Sequence, residues 1–512
     1  MAAEDARPSS LYETVAYPPL IHPETHPDRM AVTARLLGLE TASPESCRVL
    51  DLGCGIGSNL IAMAELLPKS RFIGIDLAEN QVRDGQATAA RLGLANIEFR
   101  QADIMDLKDG FDEFDYIIAH GVYAWVPVPV RQKMLRLIRG NLAPRGIAYV
   151  SYAAYPGAYP MQAVRDIMLY RTRDVRDTET RAKVARDFIA FLAASFAPEA
   201  GLFGEFVRQY AGSFLGREGA PEPHVLASLT HDELAEINEP VYFHEFAAKA
   251  EAAGLQYLAE VDLRGSTPIG LRPETVEALG SFPRDLIETE QYLDFIRNRG
   301  FRRTLLCRPD AVVERSLAAG QETLAGLYLA SSVEPARRRT SASGSGVVRF
   351  ISRNGLAISM DYPLTTAALL HLGKVYPRAV KFEDLLEVAG KAVYGRTELK
   401  PGDASTVASD LLQAFLFGRS LLELYVSPRP LAVRPGRRPR TPAFARELAS
   451  QRLDAVPNLR HEPIRLGSLG TKLLPFTDGG HTAEEMAAAV GASPAEVGAE
   501  LRWLGRAGML IG

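Results

Sequence analysis

Hydrophobic positions along the chain fall into two alternating rhythms. Short, nearly unbroken apolar runs recur at Arg48–Asp51, Arg71–Asp76, Ile97–Asp103, Phe114–His120 and Gly146–Ser151. Between the first of them, Asn59–Leu67 and Gln81–Leu92 repeat apolar residues at helical spacing and stop at Pro68 and Gly93. Runs this apolar predict strands buried on both faces, and their alternation with helices predicts a parallel α/β sheet. From Gln162 to Asn238 the pattern is helical and charged, with an irregular stretch over 201–223. A helix over Phe243–Ala253, closed by Gly254, then leads to strands over Leu255–Val261 and Phe301–Cys307. The prediction is one sheet-containing domain over about 1–310 with a helical insertion at 160–240.

The rest reads differently. Residues 331–346 are small, basic and Gly/Ser-rich, the composition of a linker. Val347–Ile351 and Leu356–Met360 flank Arg353-Asn354-Gly355, a hairpin signal, and helices are predicted over Thr365–Val375 and Phe382–Val393. A second Pro/Arg-rich stretch covers Pro428–Pro442. Leu469–Pro475, Ala483–Val490 and Pro494–Ala507, followed by Met509-Leu510-Ile511, give the three-helix-and-strand order of a winged-helix-like unit. This divides the remainder into a middle domain, 311–430, and a C-terminal α+β domain, 431–512.

Composition narrows the class. A chain of 512 residues is too long for one compact domain at roughly 100–200 residues each. Its 58 basic and 62 acidic side chains argue against a nucleic-acid-coating protein. Arg337–Arg339 and the arginines of 434–440 read best as solvated surface. No apolar run approaches the roughly 18 residues of a membrane span, and MAAEDARPSS has no secretory h-region. Cys47, Cys54 and Cys307 make no zinc pattern, which together with the rest points to the cytoplasm. His22 and His26 are no metal pair either: Pro23 and Pro27 break any helix that would align them.

The chemistry is concentrated in Asp51-Leu52-Gly53-Cys54-Gly55-Ile56-Gly57, which follows the first strand and opens the first helix. Glycines there permit a sharp turn and close approach to a ligand. Ser58 stands where a dinucleotide fingerprint needs its third glycine, and no Gly-Lys-Ser/Thr ending marks a phosphate loop. Acids end the first three strands instead: Asp51, Asp76 and Asp103. They suit S-adenosylmethionine, which offers a cationic amine and sulfonium to Asp51, ribose hydroxyls to Asp76 and an adenine amine to Asp103.

With those residues in place, VLDLGCGIGSNL, FIGIDLAENQV, FRQADIMDL and FDYIIAHGVYAWV resemble the successive motifs of class I S-adenosylmethionine-dependent methyltransferases. The resemblance implies a Rossmann-like seven-stranded sheet of order 3-2-1-4-5-7-6, its last-formed strand antiparallel. It also fills out the candidate cofactor set with Gly53, Gly55, Gly57, Asn59, Gln81, Ile104, His120 and Tyr17, and makes S-adenosylhomocysteine the product. A narrower likeness lies in YPPLIHPETHPDRMAVTARLLGLE, HGVYAWVP, HDELAEINEPVYFHEF and EQYLDFIRNRGFRRTLLCR. These are similar to methyltransferases carrying a methyltransferase regulatory domain, a group that includes bacterial outer-membrane-protein lysine methyltransferases. NLRHEPIRLGSLGTKLLPFTDG resembles their C-terminal winged-helix-like domain. The implied assembly is a homodimer, and the implied acceptor a lysine of a protein such as an outer-membrane protein before export. One departure is local: where that group often has Ser-Tyr-Asn-Thr-x-Pro-Gly-Trp, this chain has Ser151-Tyr152-Ala153-Ala154-Tyr155-Pro156-Gly157-Ala158.

Acceptor-side candidates follow the fourth and fifth strands. His120 is a candidate base or orienting group, and Tyr123 and Trp125 a candidate aromatic wall for a methylammonium. Tyr155, Asn238, Tyr242 and His244 are candidate substrate residues, and Tyr12 and Tyr17 belong to an N-terminal arm over the cofactor. Two other functions compete: methylation of a small molecule or glycan precursor, and a non-catalytic sensor whose winged-helix-like ends bind nucleic acid or protein. The last helix, Pro494–Arg506, has two glutamates and two arginines, not the basic face of a DNA reader.

Overall fold

Apolar strands covered on both sides form the centre of the computed structural model of this chain, which describes residues 13, 15, 17–197, 201–215, 222–315, 317, 321–336, 346–453 and 455–512. The strands are β1 (Arg48–Leu52), β2 (Arg71–Asp76), β3 (Ile97–Gln101), β4 (Phe114–Ala119), β5 (Leu142–Ala153), β6 (Gln256–Glu260) and β7 (Phe301–Cys307). Their order is β3-β2-β1-β4-β5-β7-β6, as the resemblance implies. β1 to β5 pair in parallel, and β7 runs antiparallel between β5 and β6.

Successive strand residues enter different cores. Val49, Ile118, Tyr149 and Leu305 pack with α1 (Pro27–Leu36) and α2 (Ser58–Leu66), while Leu50, Ile117, Val150 and Leu306 pack with Met134, Ile138 and Phe246. Those last three lie on α4 (Val128–Asn141) and α9 (Phe243–Ala252); α3 (Glu79–Arg91) covers β2 and β3. Burial on both faces is why the strands read as continuous apolar runs. The N-terminal half of the first core continues into the C-terminal half of the chain through Leu329, Phe350, Leu364, Leu466 and Leu501.

The insertion comprises α5 (Tyr159–Thr172), α6 (Thr178–Ser195), α7 (Gly201–Leu215) and α8 (Glu222–Ser228), with its own core around Val164, Met168, Ile189 and Leu229. The irregular stretch predicted over 201–223 is thus corrected: most of it is helix. Val207 and Ala211, one turn apart, are buried in that core, and their packing outweighs the roughly 1 kcal/mol each that Gly204 and Gly212 cost a helix.

Beyond the sheet, Val348–Ile351 and Ala357–Met360 form the expected hairpin, and helices occupy Pro363–Val375 and Phe382–Tyr394. A helix over Asp403–Phe417 adds to that reading. Arg337–Arg339 lie outside the described residues. The 428–442 stretch keeps its arginines 434, 437, 438 and 440 in solvent, yet its backbone is pinned: Leu431 bridges Ile511, Arg440 bridges Asp478, and Thr441 is buried. Helices Ser468–Leu473, Ala483–Val490 and Pro494–Arg506 follow, and the strand predicted at 509–511 is reduced to that single bridge. This C-terminal part docks on α2 and α3. Glu65 accepts from the amides of Ala443 and Phe444, and Arg91 pairs with Glu447 at 2.7 Å. Among the described residues no helix is long and apolar enough to cross a membrane.

Arg302, on β7, is wholly buried and meets three acids: Asp294 at 2.7 Å, Glu260 at 3.0 Å and Glu290 at 3.0 Å. It also stacks over Phe243 at 3.7 Å, so one guanidinium joins β6, β7, α9 and the helix Leu286–Arg297. A buried cation held this fully is costly to disrupt from either side.

Candidate active site

The glycine loop is shaped by its neighbours. Gly53 and Gly57 have φ of +82° and +73°, and a Cβ would come 2.4 Å from Val122 at the first and 2.1 Å from Phe99 at the second. The amides of Gly53 and Cys54 donate to the Ile75 carbonyl at 2.8 and 3.1 Å, locking the loop to the end of β2. Gly55 (φ +55°) donates its amide to the Asp76 carboxylate at 2.7 Å, and Ala78 donates to the same group at 3.0 Å. Gln81, buried on α3, supports the loop from below: its Oε1 would lie 3.2 Å from a Cβ on Gly55.

Asp51 is 5% exposed, and burial first, then the Asp76 carboxylate, pushes its pKa up to about 8. Two acids at one strand edge, one of them deprived of solvent, form a site that lacks positive charge. That fits a cationic ligand bearing hydroxyls, the chemistry of S-adenosylmethionine. Asp103 turns its carboxylate onto the amide of Met105 at 2.8 Å and caps the short turn Ile104–Asp106, with Ile104 at the edge of the second core.

His120 follows β4 directly, two residues before Val122, the side chain that closes on Gly53. Its Nδ1 lies 2.9 Å from the Tyr149 hydroxyl and 3.3 Å from Ser151 Oγ, which in turn accepts from the Gly121 amide at 2.9 Å. Its ring is stacked on His22 of the N-terminal arm, centroids 3.7 Å apart. Burial, then His22, then Arg303 hold the His120 pKa well below its ordinary value. Burial thus favours the neutral imidazole, with Nδ1 turned to Tyr149 and Ser151.

The arm crosses the whole edge. Glu13 accepts from the Glu79 and Asn80 amides at 2.6 and 3.2 Å, capping α3; the Val15 carbonyl meets His231 Nε2 at 2.7 Å; Tyr17 reaches Asp232 at 3.5 Å. Tyr12 lies outside the described residues. Asn59, a candidate cofactor ligand, spends its amide elsewhere. It donates to Thr25 at 2.8 Å and accepts from the His22 amide at 3.0 Å and from His461 at 2.8 Å.

The aromatic wall is also corrected. Tyr123 is wholly buried between Tyr152 and Phe246, and Trp125 is half-buried with its Nε1 enclosed, so the pair belongs to the core under the cleft. A different aromatic group stands at the surface. Tyr155 faces Tyr159 at 4.3 Å and Tyr242 at 5.3 Å, the Tyr159 and Tyr242 hydroxyls are 3.0 Å apart, and His244 stacks on Tyr242 at 5.6 Å. Asn238 accepts from Gln162 at 3.1 Å and donates to the Asp232 carbonyl at 3.0 Å, so both its partners belong to the insertion. Arg303, Tyr149 and Ser151 escaped the sequence reading. Ser151 and Arg303 are register partners on β5 and β7, a pairing that only the fold reveals. Among the described residues no group of three or more His, Cys, Asp or Glu is arranged to hold a metal.

Two family models match the chain: a methyltransferase domain over residues 43–186 and a predicted methyltransferase regulatory domain over 226–308. An uncharacterized protein of Rickettsia prowazekii, RP028, is 31% identical over 240 residues, 47% of this chain and 93% of its own length. The chain belongs to the methyltransferases that carry this regulatory domain. A second R. prowazekii protein, RP789, is 37% identical over 306 residues, 60% of this chain but only 54% of its own length. The structure of PKMT2 from Rickettsia typhi, solved alone and in complex with AdoHcy, is 25% identical. It superposes with a TM-score of 0.84 over 97% of this chain and 100% of its own. In this regulatory-domain methyltransferase the glycine loop, Asp51, Asp76, Asp103 and His120 fall within the first matched segment, and Tyr242, His244, Arg302 and Arg303 within the second.

Proposed function

We propose that the chain transfers a methyl group from S-adenosylmethionine to a lysine amine of a protein substrate. The observation that carries this reading is the likeness of the whole chain to PKMT2, a protein lysine methyltransferase, together with the positive-charge-deficient pair Asp51 and Asp76 at the glycine loop. The bound cofactor supplies an electrophilic methyl on sulfur: the amine nitrogen forms the new bond to carbon as the carbon–sulfur bond breaks, leaving a neutral thioether. This chain's residues would hold that donor through Asp51, Asp76 and Asp103 and keep the acceptor in line, a largely entropic contribution.

A lysine must be neutral to attack, which costs about 4–5 kcal/mol at pH 7 from a pKa near 10.4. The Arg303 guanidinium, close enough to depress both His22 and His120, favours that neutral form, and His120 stays uncharged beside it. The released proton leaves to solvent. The Tyr155, Tyr159 and Tyr242 group is the entry for the acceptor, its rings suited to a lysine stem and ammonium. A cytoplasmic enzyme assembled as a homodimer, meeting its protein substrate before export, completes the reading. Its test is amino-acid analysis of protein labelled from methyl-tritiated cofactor in an extract of the source cells. Methyl-lysine supports the reading; label confined to small molecules moves it to a small-molecule methyltransferase.

A further inference from the structure

We propose that His461, more than 400 residues from the glycine loop in sequence, is a positioning residue for the cofactor edge, acting through Asn59 and the N-terminal arm. Asn59 lies in the first turn of α2, two residues after Gly57. Its Oδ1 accepts from the His22 amide at 3.0 Å, and a main-chain N–H can only donate, so that atom is the oxygen. His461 Nε2, 2.8 Å from the same oxygen, must therefore carry its proton and donate. The other end of the amide donates to Thr25 Oγ1 at 2.8 Å, and Thr25 passes the bond to the His22 carbonyl at 2.8 Å. Asn59 thus grips His22 at both its amide and its carbonyl side, and His461 fills the last lone pair of that grip. His22 in turn is the ring stacked on His120 at 3.7 Å.

His461 is presented rigidly. It is fully buried, with φ +57°, a left-handed conformation uncommon outside glycine. The turn around it is tied down by Asn458, which takes the Glu462 carbonyl on its amide at 2.9 Å and receives the Arg460 and His461 amides at 2.8 and 3.0 Å. Glu462 and Arg29 close the turn against α1 at 3.1 Å. A surface meant only to dock would need neither the left-handed backbone nor a histidine aimed at the first turn after the glycine loop. The inference needs the cofactor site but not the lysine acceptor.

The test uses two amides on the full chain. His461→Gln places a donor where Nε2 stands. His461→Asn places one where Nδ1 stands, too short to reach Asn59, although asparagine suits the left-handed backbone better. S-adenosylhomocysteine affinity by calorimetry and hydrogen exchange of the 17–26 amides are read for both, with thermal midpoints alongside. Expected is about tenfold weaker binding and about tenfold faster exchange for His461→Asn at an undiminished midpoint, with His461→Gln within about threefold of the parent. Equal behaviour of the two variants, or parental arm exchange in His461→Asn, overturns the proposal. Failure of the parent to bind S-adenosylhomocysteine would instead sink the cofactor reading, leaving arm exchange to decide this one.

Discussion

Asp51 is buried beside Asp76, and its carboxyl ionises only near pH 8. The unfolded chain, with an ordinary aspartate, releases that proton near 4. The folded state therefore binds the extra proton between those values, and stability falls as pH rises from about 4 to about 8. Asp51→Asn removes this cost. The variant is expected to be more stable than the parent at pH 8, on the order of 1–2 kcal/mol after allowing for relaxation around the buried group, and to lose cofactor affinity. Urea midpoints at pH 6 and 8, with calorimetric titration of S-adenosylhomocysteine, check both halves. A variant that is no more stable at pH 8 would mean that Asp51 is well solvated.

The buried histidines give the opposite slope. Burial, opposed by Glu24 and aided by Arg303, lowers the His22 pKa to about 4, and His120, His26 and His461 are displaced in the same direction. Their neutral forms are full contributors above about pH 6.5; below it the unfolded chain takes up protons first, and stability is lost toward pH 4. Thermal midpoints recorded between pH 7 and 5 are expected to fall, and less steeply in His22→Phe, which keeps the stack on His120 without the titrating group.

Arg302 is a purely structural prediction. Replacing it with Met leaves Glu290 buried without a cation and Asp294 and Glu260 with only Arg299, at 3.1 and 3.8 Å, and should cost about 3–5 kcal/mol in urea unfolding. A loss under 1 kcal/mol would mean that these acids rearrange to solvent.

At the surface, Tyr155→Ala is expected to raise KM for a protein acceptor by roughly tenfold while leaving S-adenosylhomocysteine affinity alone, because its ring neighbours are Tyr159 and Tyr242 rather than the glycine loop. A parallel loss of both would put Tyr155 in the cofactor site.

The sheet was legible because burial on both faces leaves a continuous apolar signature: Arg71–Asp76 and Phe301–Cys307 were bounded to the residue. The glycine loop was legible because Gly53 and Gly57 carry backbone angles and close contacts that other residues resist. Tyr123 misled because an aromatic after a strand looks the same in sequence whether it lines a cleft or lies beneath one; only Phe246 and Tyr152 closing on it decide. Arg303 and His461 were invisible for a related reason. Their positions depend on β5–β7 register and on a contact spanning 402 residues, and local patterning encodes neither. The helix over Gly201–Leu215 was missed because glycine signals loop locally, while tertiary packing of Val207 and Ala211 decides the outcome.

The most direct measurement is the initial rate of tritiated methyl transfer from S-adenosylmethionine into acid-precipitable protein of the source cells, by the parent and by Asp76→Ala. Asp76 is the carboxylate that Gly55 and Ala78 fix at the loop. The account predicts base-stable counts with the parent, recovered as methyl-lysine on hydrolysis, and at least about a hundredfold fewer with the variant, the equivalent of about 2.7 kcal/mol. Counts of equal size with Asp76→Ala, or counts recovered on any residue but lysine, would contradict it.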